Sequence, residues 1–364
     1  MPIIVLFYQE NGLGLKDIFL LKSVYSIVLV ALDIPTGYLA DVWGRRNCLL
    51  TGCLIAFGGY ICYSLSATFA AFFLAEVLLG IGQSLVSGAD SALLYDTMLH
   101  YKRENEYLKY EGKVTMIGNF SEAFAGIIGG LLATFSLRLP FFCQIFIAFI
   151  GIPAAFALHE LNAQTRIVHP IKNILNIIRY SLITNKKLCY DIMFSGIIGA
   201  ATLTMAWFVQ PVLMEIHLPT ALFGVVWTVL NLTVGIAALY SDALNAWLGE
   251  NRTYTLILLF IVGGYVAISF SLTIFSLFLF FLFYIVRGFA TPILKGYINR
   301  QTFSEMRATV LSIRNFIIRL IFAVIAPFIG WLNDAFSLAF ALQITALIIL
   351  LPGSLFLFLQ WRKN

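Results

Sequence analysis

Ionisable side chains lie inside several long apolar stretches of this sequence. Each such group is costly in a bilayer unless it pairs with another group or faces a wet cavity. A carboxylate placed there can bind and release a proton, whereas an arginine keeps its charge and offers a planar fork to a carboxylate or phosphate. The acids are Asp33, Glu76, Asp90, Glu122 and Asp191, and the bases are Lys22, Arg287, Lys295, Arg314 and Arg319.

Most of these acids lie in the first half of the chain, where they predict a route for protons. The candidate proton-coupling residues are Asp33, Glu76, Asp90 and Glu122. Glu76, Gln83, Ser87 and Asp90 fall within about 60° of one another on a helix, as a single polar stripe. The alternative is that Glu76 and Asp90 pair with basic neighbours and only stabilise the structure.

Most of the bases lie in the second half, where they predict binding of an anionic or zwitterionic solute. Arg287 and Arg319 each lie about twelve residues into an apolar stretch, close to the bilayer midplane. The candidate solute-binding residues are Arg287, Arg319, Gln83, Asn119, Tyr284 and Asn231. The alternatives are structural ion pairs for the two arginines and helix-to-helix hydrogen bonds for the uncharged residues. Lys295 and Arg314 lie nearer the inner face of the membrane. They are expected to belong to a gate or to extend their charged groups to the membrane surface.

Long apolar runs must position these groups. With 60% hydrophobic and 11% charged residues, the chain has too little polar surface for a soluble globule. Runs of about 20 residues cross the bilayer as helices, so the sequence predicts an all-α polytopic membrane protein. The eleven expected spans are 18–39, 48–65, 69–98, 114–135, 139–158, 188–214, 222–239, 253–272, 275–298, 308–331 and 336–359. The apolar stub Met1 to Tyr8 is expected to be the outer end of a first helix that starts upstream, giving twelve.

The segment G-Y-L-A-D-V-W-G-R-R, from Gly37 to Arg46, separates two of these runs. Its charges cannot enter hydrocarbon cheaply, so it predicts a very short aqueous turn, with Gly37 and Gly44 tightening the backbone. An ordinary charged turn is the simpler interpretation. The segment resembles the loop between the second and third helices of the major facilitator superfamily, G-x-L-x-D-x-x-G-R-R/K.

That resemblance implies a fold of two six-helix bundles with pseudo-twofold symmetry, here with a truncated first helix. It also implies a cytoplasmic gate in which Arg45 pairs with Asp96 and Asp41 caps a helix starting near Ala308. The gate residues are Gly37, Asp41, Gly44, Arg45, Arg46 and Asp96. A G-P-x-x-G-G signature of drug/proton antiporters is only partly matched, since Gly129 and Gly130 are present but Ala125-Gly126 replaces Gly-Pro.

The domains expected from these features are an N-terminal bundle at 1–158, an amphipathic cytoplasmic linker at 159–187 and a C-terminal bundle at 188–364. The linker is expected to lie flat on the inner leaflet, and a calmodulin-type target helix is the alternative. With the Gly37 to Arg46 turn inside, 16 of the 23 basic residues are cytoplasmic, as is the C-terminus. This asymmetry explains the net charge of +5 without a nucleic-acid partner.

The function predicted is secondary active transport of a small organic solute, coupled to protons, by alternating access in a bacterial inner membrane. Efflux of an amphipathic compound is slightly favoured, because the resembled family supports it; uptake of an organic anion or zwitterion is the alternative, which the two arginines support. A transport-dead sensor is a further alternative. No cofactor, metal site or enzyme activity is expected, since the sequence has no H-E-x-x-H or P-loop motif. The partners expected are solute, protons and lipid, and the protein is expected to be a monomer.

Overall fold

The computed structural model describes residues 3–87, 89–103, 106–159, 170–302 and 306–361, and over these ranges the regular structure is helical. A π-helical turn at Tyr180–Thr184 follows α8. The helices are α1 Ile4–Glu10, α2 Leu15–Trp43, α3 Arg45–Leu65, α4 Phe69–Ser87, α5 Asp90–His100, α6 Tyr107–Ala133, α7 Leu139–Ala157, α8 Pro170–Arg179, α9 Lys186–Glu215, α10 Ala221–Leu239, α11 Ser241–Leu248, α12 Glu250–Phe270, α13 Ser276–Arg300, α14 Arg307–Ala335 and α15 Leu338–Trp361.

Long helices occupy all eleven expected spans. Nine helical stretches in the described part of the chain are long and apolar enough to cross a membrane. The helices α2 and α6, of 29 and 27 residues, occupy the other two expected positions. The prediction of an all-α polytopic membrane protein is therefore confirmed.

The expected span 69–98 lies within the apolar helical stretch Phe69–His100, which is long enough to cross a membrane. The described parts of this stretch are α4, up to Ser87, and α5, from Asp90. Glu76 is 1% exposed, whereas Gln83 and Asp90 are exposed. The polar stripe therefore does not share one environment, because Glu76 is buried and the other three members, Gln83, Ser87 and Asp90, are exposed.

The chain divides into two compact units. Unit 1 is Met1–Leu13, Asp17–Ile167 and Thr220–Val225, and unit 2 is Gly14–Lys16, Val168–Pro219 and Val226–Asn364. In unit 1, α3 and α4 approach closely at Gly52 and Gly82. A Cβ atom at Gly82 would lie 2.9 Å from the carbonyl oxygen of Gly52, so this contact requires residues without side chains.

The core of unit 2 is built around α9, whose residues are buried along most of its length. An apolar cluster near the start of α9 consists of Leu188, Ile192, Ile298, Val310, Ile313 and Ile317. Ile177 and Ile178 of α8 pack against this cluster. At least part of the apolar face of the amphipathic segment therefore contacts protein, where the sequence led us to expect lipid.

Candidate functional site

The turn between α2 and α3 is a single residue, Gly44. Its φ of 101° is a conformation that residues with a side chain rarely adopt, so glycine is required here. The expectation that Gly37 also tightens the turn is wrong, because Gly37 lies within α2. Arg45 and Arg46 follow Gly44 at the start of α3, whereas Asp41 lies in α2 and Asp96 in α5.

Arg45 and Arg46, at the start of α3, bind residues of two other helices of unit 1, α5 and α7. Nη1 of Arg45 pairs with Oδ2 of Asp96 and donates to the carbonyl oxygen of Ala92, both on α5. Nη2 of Arg46 donates to the carbonyl oxygen of Phe156 at 2.6 Å, and its guanidinium carbon lies 4.8 Å from the centre of the Phe156 ring. A cation is favourable at the carbonyl oxygen of Phe156 because this residue lies at the C-terminal end of α7.

The partner expected for Asp41 stays a prediction. The side chains of Asp41 and Ala308 both lie outside the described residues. What the structure places together is therefore the part of the gate within unit 1, namely the Arg45 to Asp96 pair.

Replacing Asp96 with Asn is expected to destabilise unit 1 by about 1–3 kcal/mol, because it leaves the Arg45 guanidinium without its charge-paired acceptor. The pair is mostly buried, with side-chain exposures of 16% and 21%. The matched control is Glu106→Gln, which breaks the exposed pair between Arg103 and Glu106. Thermal unfolding in detergent should show a clearly larger loss for Asp96→Asn. Equal losses would mean that the buried pair adds nothing.

Glu76 of α4 forms a buried ion pair with Lys22 of α2. Its Oε1 atom accepts both from Nζ of Lys22 and from the hydroxyl of Tyr8, the latter at 2.6 Å. Nζ of Lys22 also lies 5.3 Å from the centre of the Tyr8 ring and 5.7 Å from that of Tyr63. Ion pair, hydrogen bond and ring faces together offset the cost of burying two charges.

The other candidate proton-coupling residues of unit 1 are not enclosed as Glu76 is. Asp33, Asp90 and Glu122 are exposed, and Asp33 and Asp90 each make a further interaction. Glu76 is thus the candidate acid that is buried. Its ion pair with Lys22 is the arrangement expected if Glu76 pairs with a basic neighbour and only stabilises the structure.

In unit 2, Arg287 and Tyr284 form an incompletely bonded pair on α13. The guanidinium carbon of Arg287 lies 5.2 Å from the centre of the Tyr284 ring. Nη1 of Arg287 and the hydroxyl of Tyr284 are both buried; the guanidinium is the polar group beside the Tyr284 oxygen, and no other described acceptor lies within ordinary hydrogen-bond distance of either donor. Buried donors without acceptors are rare in folded proteins, because a water, an ion or a ligand normally satisfies a group that no protein atom reaches.

The remaining candidate solute-binding residues are not gathered around this pair by any described contact. Arg319 is half-buried on α14, and no described carboxylate of unit 2 pairs with it. Asn231 donates to the Trp227 carbonyl oxygen one turn earlier in α10, at 2.8 Å. Gln83 is exposed in unit 1, and the Asn119 side chain lies outside the described residues.

Asp191 of α9 has a set of partners that could not be predicted from residue spacing. Its carboxylate accepts from the Tyr254 hydroxyl at 2.7 Å and from the side-chain amides of Gln301 and Gln360. These donors lie 63, 110 and 169 residues away in sequence. Asp191, 1% exposed, is therefore held by uncharged donors alone.

Many long apolar helices, with charged groups enclosed among them, define a multi-pass membrane protein. The sequence model of the Major Facilitator Superfamily matches residues 1–325. The chain therefore belongs to the major facilitator superfamily, and the resemblance carried by the Gly37 to Arg46 segment is confirmed.

Known proteins of the same kind agree with this assignment. An uncharacterised MFS-type transporter of Methanocaldococcus jannaschii is 24% identical over 155 residues, which are 42% of this chain and 38% of that protein. The crystal structure of the nucleoside transporter NupG matches with a TM-score of 0.75 at 13% identity, over 97% of this chain and 91% of that one.

A bacterial homologue of the human lysosomal transporter Spinster, in an inward-facing and unoccupied conformation, matches with a TM-score of 0.75 at 15% identity. The match covers 99% of this chain and 92% of that one. At these identities the two structural likenesses show the fold alone. Proteins of the major facilitator superfamily are membrane transporters, so family membership places the chain in the class of membrane transport proteins rather than among the enzymes.

Proposed function

We propose that this protein is a secondary active, proton-coupled carrier of a small organic solute with a carboxylate or phosphate group, working by alternating access. The observation that carries the proposal is the unpartnered Nη1 atom of Arg287 beside the unpartnered hydroxyl of Tyr284. An anionic oxygen of the solute supplies the acceptor that both donors lack.

The energetics favour this assignment over a structural role for Arg287. A buried donor without an acceptor costs about 1–3 kcal/mol, and the cost is higher for a charged group. Within unit 2 no described carboxylate relieves it. A solute anion removes this cost when it binds, so the cost becomes part of the binding energy. The planar guanidinium can bind the anion by donating two parallel hydrogen bonds to it.

Unit 1 supplies the proposed proton-coupling groups. Glu76 is enclosed with Lys22, so protonation of Glu76 would release Lys22 from its ion pair. Asp33, Asp90 and Glu122 on the surface of unit 1 complete the proposed set. In this scheme, protonation of Glu76 breaks its ion pair with Lys22. The loss of the pair allows α2 and α4, the helices that carry these residues, to rearrange.

We further propose the domain boundaries 1–158, 159–187 and 188–364, a monomer, and a bacterial inner membrane with the C-terminus in the cytoplasm. The charge asymmetry of the connections supports this orientation, because basic residues are retained on the cytoplasmic side. The Asp41 cap and the Gly37 to Arg46 gate belong to the same cytoplasmic face.

Efflux of an amphipathic compound is the second candidate. A cleft of about 620 Å³ in unit 1 favours it, since apolar side chains such as Leu93 and Val114 line the cleft together with Asp90 and His159. Apolar walls with an acid at one position suit an amphipathic cation.

The direction and charge of the solute can be tested in proteoliposomes with an imposed pH gradient. We expect labelled organic anions to accumulate against their concentration gradient when the outside is acidic. This accumulation should stop when a protonophore collapses the pH gradient. Extrusion of amphipathic cations without anion uptake would instead establish the second candidate.

A further inference from the structure

Asp191 is a buried acid that the proposed function leaves unused. It lies near the start of α9 and is 1% exposed. Its hydrogen-bond donors come from three other segments, since Tyr254 lies near the start of α12, Gln301 directly follows α13, and Gln360 lies at the end of α15. One carboxylate therefore connects the ends of four helices of unit 2.

An ion pair lies about one helical turn from Asp191 and Tyr254. Nζ of Lys187, four residues before Asp191 on α9, lies 3.4 Å from Oε1 of Glu250, four residues before Tyr254 on α12. The two side chains are 40% and 33% exposed, so this pair reaches water while Asp191 does not. Asp191 itself is bonded by no described cation, and burial of an unpaired charge is costly.

Other titratable side chains of the elements around α9 have contacts of their own. They are Tyr180, Tyr297, Arg300, Arg307 and Arg314. Arg314, which the sequence led us to place in a gate or at the membrane surface, is 5% exposed, and its Nε atom donates to the Ser195 hydroxyl at 2.5 Å. The described residues of α15 include no titratable side chain. A proton can neutralise Asp191 without added space and without a rearranged cation.

The side-chain amide of Gln360 contains an acceptor that has no donor. Gln360 is 4% exposed, and its Nε2 atom donates to Oδ1 of Asp191, whereas its Oε1 atom is buried with no hydrogen-bond partner among the described residues. An ionised carboxylate only accepts hydrogen bonds, so it can use only the amide nitrogen. A protonated carboxyl group must also donate, and a half-turn of the amide brings Oε1 of Gln360 to the place of Nε2. The site therefore holds a partner for the neutral acid as well as partners for the carboxylate.

We propose that Asp191 is a proton-binding site, separate from the Lys22 to Glu76 pair, and that its protonation loosens α12, α13 and α15 from α9. A proton from water adds to Oδ1, which it reaches past the partly exposed Lys187 to Glu250 pair. Hydrogen bonds to a charged acceptor are roughly twice as strong as those between neutral groups. Loss of the charge therefore weakens the bonds from all three other segments at once.

This site gives unit 2 a response to pH that is distinct from the proposed coupling. In the proposed function the coupling proton binds in unit 1, at groups that include Glu76. The proton on Asp191 instead changes how tightly four helix ends of unit 2 are held. Its binding depends neither on the solute nor on Arg287.

Infrared difference spectra test the binding of this proton directly. The full-length protein is placed in nanodiscs without solute, and spectra are recorded as the pH is lowered. A protonated carboxylic acid has a C=O stretching band that the ionised form lacks. We expect Asp191→Asn to lose one such band, because asparagine resembles the neutral acid in shape but has no carboxylate to protonate.

Glu215→Gln is the matched control, since Glu215 is an exposed acid at the opposite end of α9. It should keep the band that Asp191→Asn loses. Tyr254→Phe keeps the test valid if Asp191→Asn does not fold, because removal of the Tyr254 hydroxyl should shift the frequency of the same band. The proposal is overturned if neither Asp191→Asn nor Tyr254→Phe alters any carboxylic acid band.

Hydrogen exchange measures the loosening. After correction for the intrinsic effect of pH, backbone amides near Gln301 and Gln360 should exchange about tenfold faster in wild type once the Asp191 band has appeared. In Asp191→Asn the faster exchange should persist at every pH. Exchange that follows pH equally in wild type and in Asp191→Asn would show that this proton does not control the helix ends.

Discussion

Replacing Arg287 with Gln is expected to lower kcat/KM for uptake of the anionic solute by about 30- to 150-fold. A hydrogen bond to a charged group is worth about 2–3 kcal/mol, and each 1.36 kcal/mol is a factor of ten. Initial rates of labelled solute entry into proteoliposomes measure the change. Arg287→Lys should fall between wild type and Arg287→Gln, because lysine keeps the charge but loses the bidentate fork.

Arg300→Gln is the matched control, since Arg300 lies at the exposed end of the same helix. It should transport at close to the wild-type rate. A loss in Arg300→Gln equal to that in Arg287→Gln would point to general damage to α13 rather than to a lost solute contact.

Tyr284→Phe separates solute binding from folding at the same site. The Tyr284 hydroxyl is buried beside the Arg287 guanidinium and donates to no described acceptor, so its removal should leave the protein close to wild-type stability. The affinity for solute should nevertheless fall, since the hydroxyl is the second donor to the anion. A destabilised protein with normal transport would show that the hydroxyl serves the fold.

The positions of the spans could be predicted because membrane crossing is a one-dimensional constraint. About 20 apolar residues suffice, and the eleven runs carry that signal without knowledge of their neighbours. The Arg45 to Asp96 pair also appears in the structure, but it followed from a family motif and not from spacing.

Side-chain partners across helices could not be predicted in the same way. The partners of Glu76 are Lys22 and Tyr8, 54 and 68 residues away, and contact depends on the rotation of each helix about its axis. Periodicity alone fixes that rotation poorly in a chain whose helices are apolar on most sides. The contact of α8 with the apolar cluster of unit 2 could not be predicted for a related reason. An apolar helix face does not indicate whether lipid or protein covers it.

Glu76→Gln is expected to destabilise the protein by about 3–5 kcal/mol, because it leaves the buried Lys22 ammonium without a countercharge. Lys22 and Glu76 are 6% and 1% exposed, so water cannot replace the missing partner. The double variant Lys22→Met with Glu76→Leu should recover most of this loss, since an apolar pair of similar volume removes both charges. Free energies of unfolding in detergent for Lys22→Met, for Glu76→Leu and for the double variant would measure the coupling.

The same double variant tests whether Glu76 also carries the proton. A stable protein without this carboxylate should still exchange labelled solute for unlabelled solute across the membrane, because exchange needs only the solute site. It should no longer accumulate solute in response to a pH gradient. If accumulation persists at the wild-type level, the Lys22 to Glu76 pair is a structural bridge, and the coupling acid must be sought among Asp33, Asp90 and Glu122.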